Sequence, residues 1–562
     1  MKTLLAAIHS KFIHSGLALW YLKAACDSVD CEVEVAEYTV NDLSESVFES
    51  IYSRKPDCIG FSCYVWNIAY ILRLASDIKK ALPNVIIILG GPEVSFDLVK
   101  ILDANPFIDI VMAGECEFTL KKVLHEIVSN GSGYDLSDIP GTAFRNVNGI
   151  KFDTGYQMVS DLDLLPTPYT DEMLSASQDK ALIYIEASRG CPFSCSYCLS
   201  SAFEGVRCFS INRVMNDLRK IIKAGFKQIK FVDRTINCNA DRFAEIAGRI
   251  RDLDTDAVFH FEAGGDLFNE SHLDLLKTMP HGRIQLEIGI QSLNRKALES
   301  IGRKSDSDRL FSNIKQLMDN GNINVHLDLI AGLPFDTVSD FEKSFNMTYE
   351  LKPHQLQLGF LKLLPGTKMR KHSEEHFYLY RDYAPYEVIS NKYISVDDLI
   401  ELKDISGLVN TYYNSGRFTG VLDSVIKGHF KTPIEFYKEF NACNHRNSIE
   451  FSRMSLQDAY KALLEYLMTF ISLSEMSGVR EAMILDFLSS NSSRTLPDVL
   501  KNETKHDFKT KCAAYIKNTL PLNSKMTHFE LLSGSIHIFD YSKKDKVTGK
   551  YNQIIIADED FI

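Results

Sequence analysis

The chain has 562 residues, 45% hydrophobic and 24% charged, with 30 glycines and 16 prolines. These proportions exclude a disordered, fibrous or low-complexity protein, and the length suits three or four folded domains. The net charge is −12, with 13 basic and 22 acidic residues in positions 1–165, which excludes a basic field over the chain; duplex nucleic acid is not indicated, while a local patch for RNA stays open.

The N-terminus, MKTLLAAIHSKF, holds an apolar stretch interrupted by His9 and Lys11, too short for a secretory signal. The chain lacks a run of ~18 apolar residues, so no membrane-spanning helix is predicted. Twelve cysteines without a signal predict free thiols and a reducing, cytoplasmic compartment. Nine are scattered: Cys26, Cys31, Cys58, Cys63, Cys116, Cys208, Cys238, Cys443 and Cys512.

Residues 1–130 alternate short apolar runs with helical patterns. The runs are TLLAAI (3–8), VEVAEY (33–38), CIGFSC (58–63), VIIIL (85–89) and DIVMAG (109–114). Such alternation predicts a five-stranded parallel sheet covered on both faces. Gly90, Gly91 and Gly114 follow strand ends, where ligands of open parallel sheets bind and glycine permits close approach. The expectation is a nucleotide- or cofactor-binding domain. Residues 131–180, with NGSG at 130–133 and Pro140, Pro166 and Pro168, read as a linker.

Alternation restarts at 182. Strands are predicted at 182–188, 228–233, 258–263, 284–290, 324–330 and 356–361, with helices at 212–225, 239–253, 294–301, 306–320 and 338–351. Six β/α units predict a partial barrel with its site at the C-terminal strand ends. Directly after the first of these strands stands GCPFSCSYC (190–198), placing Cys191, Cys195 and Cys198 at C-x3-C-x2-C spacing. Three thiolates on one loop can hold three irons of a 4Fe–4S cluster and leave the fourth open. The competing readings are three buried cysteines brought together by chance, or a structural zinc site. Zinc ordinarily takes four ligands, commonly in C-x2-C pairs, and the sequence has no second pair.

From 372 to 562 long helical stretches dominate, over 395–519, including LQDAYKALLEYLMTFISL (456–473). The tail at 529–557 predicts a strand pair turning around Lys544–Gly549. This part carries no metal motif or nucleophile constellation.

The cysteine loop resembles that of the radical S-adenosylmethionine (SAM) superfamily, with Tyr197 at its usual aromatic position. The resemblance implies that SAM chelates the open iron and that one-electron reduction releases a 5′-deoxyadenosyl radical. EIGIQS (287–292) resembles the family's fourth-strand element and implies Glu287 as a ribose contact, with Gln291 beside it. HLDLIAGLP (326–334) and LGFLKLLPGTKM (358–369) resemble the fifth and closing elements. At 230–239 the family often carries Gly-Gly-Glu; here Asp233 and Arg234 stand there, and Asp233 is the candidate methionine contact.

A parallel-sheet domain ahead of such a barrel resembles the cobalamin-binding class. The matching residues are Ser62, Gly90-Gly91-Pro92-Glu93 and Gly114-Glu115-Cys116-Glu117, the last resembling a G-E-G-E element with Cys116 in place of the second glycine. D-x-H-x-x-G is absent: HSKFIHSG (9–16) does not fit it, so no histidine of this loop is expected to ligate cobalt, and His9 and His14 read as loop or surface residues. The alternative is a flavodoxin-like module for another ligand or none. LVNTYYNSGRF (408–418) and IFDYSKKDKVTGKY (538–551) resemble a tail of unassigned function found on some members of the class.

The expected architecture is therefore α/β. It comprises a Rossmann-like cobalamin domain at 1–130, a linker at 131–180, a partial TIM-type (β/α)6 barrel at 181–371, and a mainly helical domain at 372–562. The resemblance implies a cobalamin-dependent C-methyltransferase with a 4Fe–4S cluster and SAM, an unidentified substrate and an external one-electron reductant such as flavodoxin or ferredoxin. The two rivals are a cobalamin-dependent oxidoreductase or cyclase without methyl transfer, and a non-catalytic electron carrier or sensor. A methylthiotransferase would carry an additional N-terminal cysteine trio, which Cys26, Cys31, Cys58 and Cys63 do not form.

Overall fold

The computed structural model describes residues 1–146, 149–152, 155–201, 205–446, 454–493, 495–501, 515, 522–523 and 526–557; Cys512 and most of the helical stretch expected over 502–519 lie outside the described residues. The chain forms two compact units. The first comprises 1–262, 301–303 and 362–388, and the second 263–300, 304–361 and 389–562.

In the first unit, β1 (Lys2–His9), β2 (Glu32–Thr39), β3 (Cys58–Ser62), β4 (Ile86–Gly90) and β5 (Ile110–Met112) pair in parallel in the order β2-β1-β3-β4-β5. They alternate with α1 (Leu17–Ala25), α2 (Ser44–Arg54), α3 (Ile68–Ala81), α4 (Leu98–Ala104) and α5 (Glu117–Asn130). β3 is buried along its whole length, as a strand covered on both faces must be. One face packs Leu4, Ala6, Ile59 and Phe61 against α2 and α3; the other packs Leu5, Ala7, Cys58 and Ile88 against α1 and α5. Strand order reverses between β1 and β3, which puts the ligand crevice outside their carboxyl ends.

The segment expected as a linker does more than connect. β6 (Thr142–Asn146) and β7 (Gly149–Phe152) extend the sheet antiparallel to seven strands. Two residues of β6 anchor it beside β5: Thr142 Oγ1 donates to Ile139 O at 2.8 Å, and Arg145 Nε donates to Ile108 O at 3.0 Å.

Six further parallel strands follow, three in each unit. The first unit holds β8 (Ile183–Ile185), β11 (Gln228–Phe231) and all but the last residue of β12 (Val258–Ala263), with β11 in the middle. Between β8 and β11, the hairpin of β9 (Ser188–Gly190) and β10 (Val206–Cys208) replaces the end of the single strand expected at 182–188. The second unit holds β13 (Ile284–Gln291), β14 (Asn324–Ala331) and β15 (Gln355–Phe360), with β14 in the middle. β13 and β14 alternate buried and half-buried residues, so Glu287, Gly289 and Gln291 share one face.

The second unit continues with helices at Val396–Leu408, Thr419–His429, Pro433–Arg446, Leu456–Leu467 and Leu473–Ser490 around buried Tyr412, Phe418, Phe436, Tyr437 and Tyr460. The single helix read at 456–473 is two helices, because Ser472 and Glu475 form a capping box that starts the second. At the end, Ser535–Lys544 and Tyr551–Ala557 form the expected pair, and Thr527–Leu532 adds a third antiparallel strand.

Candidate functional site

The cysteine loop leaves β9 and returns through β10. Ser201 Oγ donates to both Cys195 O and Cys198 O at 2.7 Å, and Ser196 N donates to Ile301 O at 2.8 Å while Ser196 O accepts from Met369 N at 2.8 Å. Cys191 and Cys198 are half-buried and Cys195 is buried. Burial pushes the Cys195 thiol up, while the Arg303 guanidinium beside it pulls the other way. Burial also raises the Tyr197 phenol, which bonds Arg303 as well. Among the described residues no three His, Cys, Asp or Glu side chains are closed around a single-ion position. The fit to a cluster rests instead on the donor set: three thiols on one loop whose charges act on each other, with a cation beside them to offset thiolate charge.

Two adjoining cavities lie inside the first unit. The larger, about 750 Å³, opens at the carboxyl ends of β1, β3, β4 and β5. Its floor is apolar, with Leu5, Ala7, Ile88 and Met112 from the strands and Leu19 and Leu120 from α1 and α5. Ser62, Gly90, Gly91, Gly114, Glu115 and Glu117 line it, as do Tyr184, Glu186, Arg189, Lys230 and Arg234 from the β8–β11 region. The smaller, about 300 Å³, is bounded by Leu199 and Ser200 at the end of the cysteine loop. Glu115, Tyr156, Glu186, Arg189 and Arg234 line both. An apolar slot under a polar rim suits a large cofactor with an aromatic tail and an amide-rich edge, so the residues fit cobalamin.

Two glycines have a different role from the one expected. A Cβ on Gly91 (φ +108°) would lie 2.6 Å from Cys63 O, and one on Gly114 (φ +91°) 2.2 Å from Gln157 O. Chain backbone, not a ligand, occupies the space a side chain would need there. Cys116, where a glycine was expected, turns its Sγ back to Gly114 O at 3.2 Å and still lines the cavity.

The acidic candidates are engaged by arginines. Arg189 Nη2 lies 2.7 Å from Glu117 Oε1 and 2.7 Å from Glu186 Oε1, and Arg207 Nη2 lies 2.5 Å from Glu115 Oε1. Burial raises the Glu115 carboxyl, but Arg207 and Arg189 win and hold it below the usual range. Glu186 goes the other way, because burial outweighs Arg189. Glu93 lines neither cavity; it accepts from Tyr386 Oη. Asp233 also lines neither. It is buried, accepts from Ala187 N at 2.8 Å and Ser188 Oγ at 2.5 Å, and burial pushes it up to about 6. It braces the turn before the cysteine loop, while its neighbour Arg234 faces both cavities.

Sequence reasoning passed over His9 and His14 as loop or surface residues, yet both line the larger cavity. Their rings meet at 4.9 Å, His14 meets Tyr184 at 4.9 Å, and His9 lies 3.7 Å from Glu37. Burial lowers the His14 imidazole, which favours its neutral form. Arg189 was also missed, although its place directly before Gly190-Cys191 was the available signal.

In the second unit, Glu287 pairs with His326 in the β13–β14 register. Gln291 sits at a register shift with φ +71°, and its Oε1 is buried without a hydrogen-bond partner. An orphaned acceptor held in a strained conformation fits a residue awaiting a ligand.

Three family models match the chain: the B12 binding domain over 3–124, the radical SAM superfamily over 185–348, and a protein of unknown function (DUF4080) over 374–547. An uncharacterized methyltransferase of Pyrococcus horikoshii is 26% identical over 69% of this chain and 83% of its own length. The cobalamin-dependent radical SAM methyltransferase TokK of Streptomyces tokunonensis is 24% identical over 59% of this chain; the match covers 49% of TokK, so the chain spans about half of that relative. The solved structure of the cobalamin-dependent S-adenosylmethionine radical enzyme OxsB, with aqua-cobalamin and S-adenosylmethionine bound, shares the fold. It covers 86% of this chain and 78% of its own, with a TM-score of 0.61 and 15% identity.

Proposed function

Because the chain belongs to the cobalamin-binding radical SAM superfamily, we propose that it is a C-methyltransferase acting on an unactivated carbon. The observation that carries this reading is the pair of cavities with shared walls, running from the carboxyl ends of the parallel sheet to the cysteine loop. When bound, the cofactors supply a 5′-deoxyadenosyl radical for hydrogen abstraction and a methyl group for the resulting carbon radical. The methyltransferase names of the Pyrococcus relative and TokK support methyl transfer.

In this proposal the chain's residues bind, orient and shield. Cys191, Cys195 and Cys198 hold the cluster, and Arg303 offsets their charge. Tyr197 packs beside the cluster. Glu287 and Gln291 take SAM, Gln291 through its orphaned Oε1. Ser62 and Gly90 face the cobalamin space, while Gly91 and Gly114 shape its wall. Glu115 and Glu117 act through Arg207 and Arg189, and Asp233 positions the turn before the loop. Excluding water from the site would protect a radical from quenching. The proposed domain limits are 1–130, 181–371 and 372–562, with 131–180 connecting them.

An external one-electron reductant, such as flavodoxin or ferredoxin, and a cytoplasmic setting complete the proposal. The described cysteines are all free, which suits a reducing compartment. Among the described residues no helix is long and apolar enough to cross a membrane.

Anaerobically reconstituted protein is expected to cleave SAM to 5′-deoxyadenosine, and Cys195→Ala to lose that activity. Products heavier by one methylene unit support methyl transfer; loss of hydrogen or water would replace it with an oxidation or cyclisation.

A further inference from the structure

The two C-terminal segments singled out in the sequence, LVNTYYNSGRF (408–418) and IFDYSKKDKVTGKY (538–551), are about 120 residues apart, yet their ends NSGRF (414–418) and KKDKVTGKY (543–551) meet in one pocket of the second unit. The pocket encloses about 350 Å³. Ser415, Gly416 and Arg417 form one wall, Lys544, Thr548, Gly549 and Tyr551 another, and Ser490 to Ser492 close it. Both glycines have positive φ (+66° and +67°), and a Cβ on either would meet nothing within 4 Å, so the turns leave these walls bare.

The charge in this pocket is of one sign. Arg417 is exposed and lines it; its backbone is bonded to Ser415 Oγ and Tyr460 Oη, while its guanidinium makes no hydrogen bond or ion pair among the described residues. Lys544 Nζ donates once, to Ser490 O at 2.8 Å, and its remaining N–H groups have no carboxylate partner. Among the described residues no acidic side chain lines the pocket. The nearby acids already have partners. Asp486 accepts from Gly420 N at 3.0 Å and Val421 N at 2.9 Å and lies 3.7 Å from Lys550 Nζ; Asp545 accepts from Thr548 N at 2.7 Å and lies 2.5 Å from His281.

We propose that this pocket binds a phosphate-bearing small molecule through Arg417 and Lys544. A forked guanidinium and a point-charge ammonium on separate walls match a dianion with oxygens on several sides better than a planar carboxylate. The space exceeds what a single phosphate fills, so the ligand is a phosphorylated organic molecule. The chain carries a net charge of −12, so it exerts no general pull on anions, and binding would depend on this local pair of cations.

The test is a calorimetric titration of the full-length chain with inorganic pyrophosphate, at constant ionic strength set by sodium chloride. The expected result is saturable one-to-one binding, weakened at least ~10-fold by Arg417→Gln and, separately, by Lys544→Gln, and unchanged by Lys427→Gln, a solvent-facing lysine outside the pocket. Circular dichroism melts check that each variant is folded. Lys544→Gln, which gives up one bond to a carbonyl, carries the test if Arg417→Gln unfolds. No saturable binding by the wild type, or unchanged affinity in the folded pocket variants, overturns the proposal.

Discussion

Asp233 commits both carboxylate oxygens to one turn, accepting from the Ala187 amide and the Ser188 hydroxyl ahead of the cysteines. Burial holds its proton up to about pH 6, against an ordinary value of 3.8. Between those values the native state binds more protons than the unfolded state, so this group makes stability fall as pH rises and adds no further loss above about 6. Asp233→Asn has no such charge. Its stability relative to wild type should therefore climb between about pH 4 and pH 6 and then level off, as read from urea midpoints; a pH-independent difference would refute the assignment. At Gln291 the φ of +71° carries strain of about 1–3 kcal/mol. Gln291→Gly should keep or raise the melting temperature while weakening SAM binding in equilibrium dialysis. A residue's type and spacing were legible at both positions, but not the direction its side chain takes. Asp233 turns under the loop and Arg234 into the cavities, an outcome decided by which neighbouring donors lie within reach.

Arg189 ties β9 to the start of α5. Its guanidinium pairs with Glu117 and Glu186, all three side chains at 14% exposure or less. Arg189→Gln leaves buried carboxylates without their counter-charge and should cost about 3–5 kcal/mol in chemical denaturation. Gly114→Ala meets Gln157 backbone at 2.2 Å; displacing that strap should cost about 1–3 kcal/mol and loosen the cavity wall. The parallel strands were legible because burial on both faces forces continuous apolar runs. The hairpins were not: β6 and β7 are only five and four residues long, and the β9–β10 pairing is three residues deep on each side. Their stability comes from contacts distant in sequence, such as Arg145 on Ile108 O, which local patterning does not reveal.

Across the whole molecule, the order of sheet, cysteine loop and later strands was readable, since each depends on periodicity or on a motif of fixed spacing. The C-terminal helices were readable as helices, but the meeting of NSGRF with KKDKVTGKY was not, because it depends on how helices and a three-stranded sheet pack. Substrate identity rests on cavity shape and has no linear signature. The proposed chemistry depends on three thiolates that hold a cubane with one iron free for SAM. Mössbauer and EPR spectroscopy of the anaerobically reconstituted chain, with and without SAM, test it most directly. The expected result is one four-iron cluster per chain beside any bound cobalamin, a reduced-state signal that shifts on adding SAM, and loss of both in the Cys191, Cys195 and Cys198 alanine variants. A cluster insensitive to SAM, or one that survives replacement of these cysteines, would contradict it.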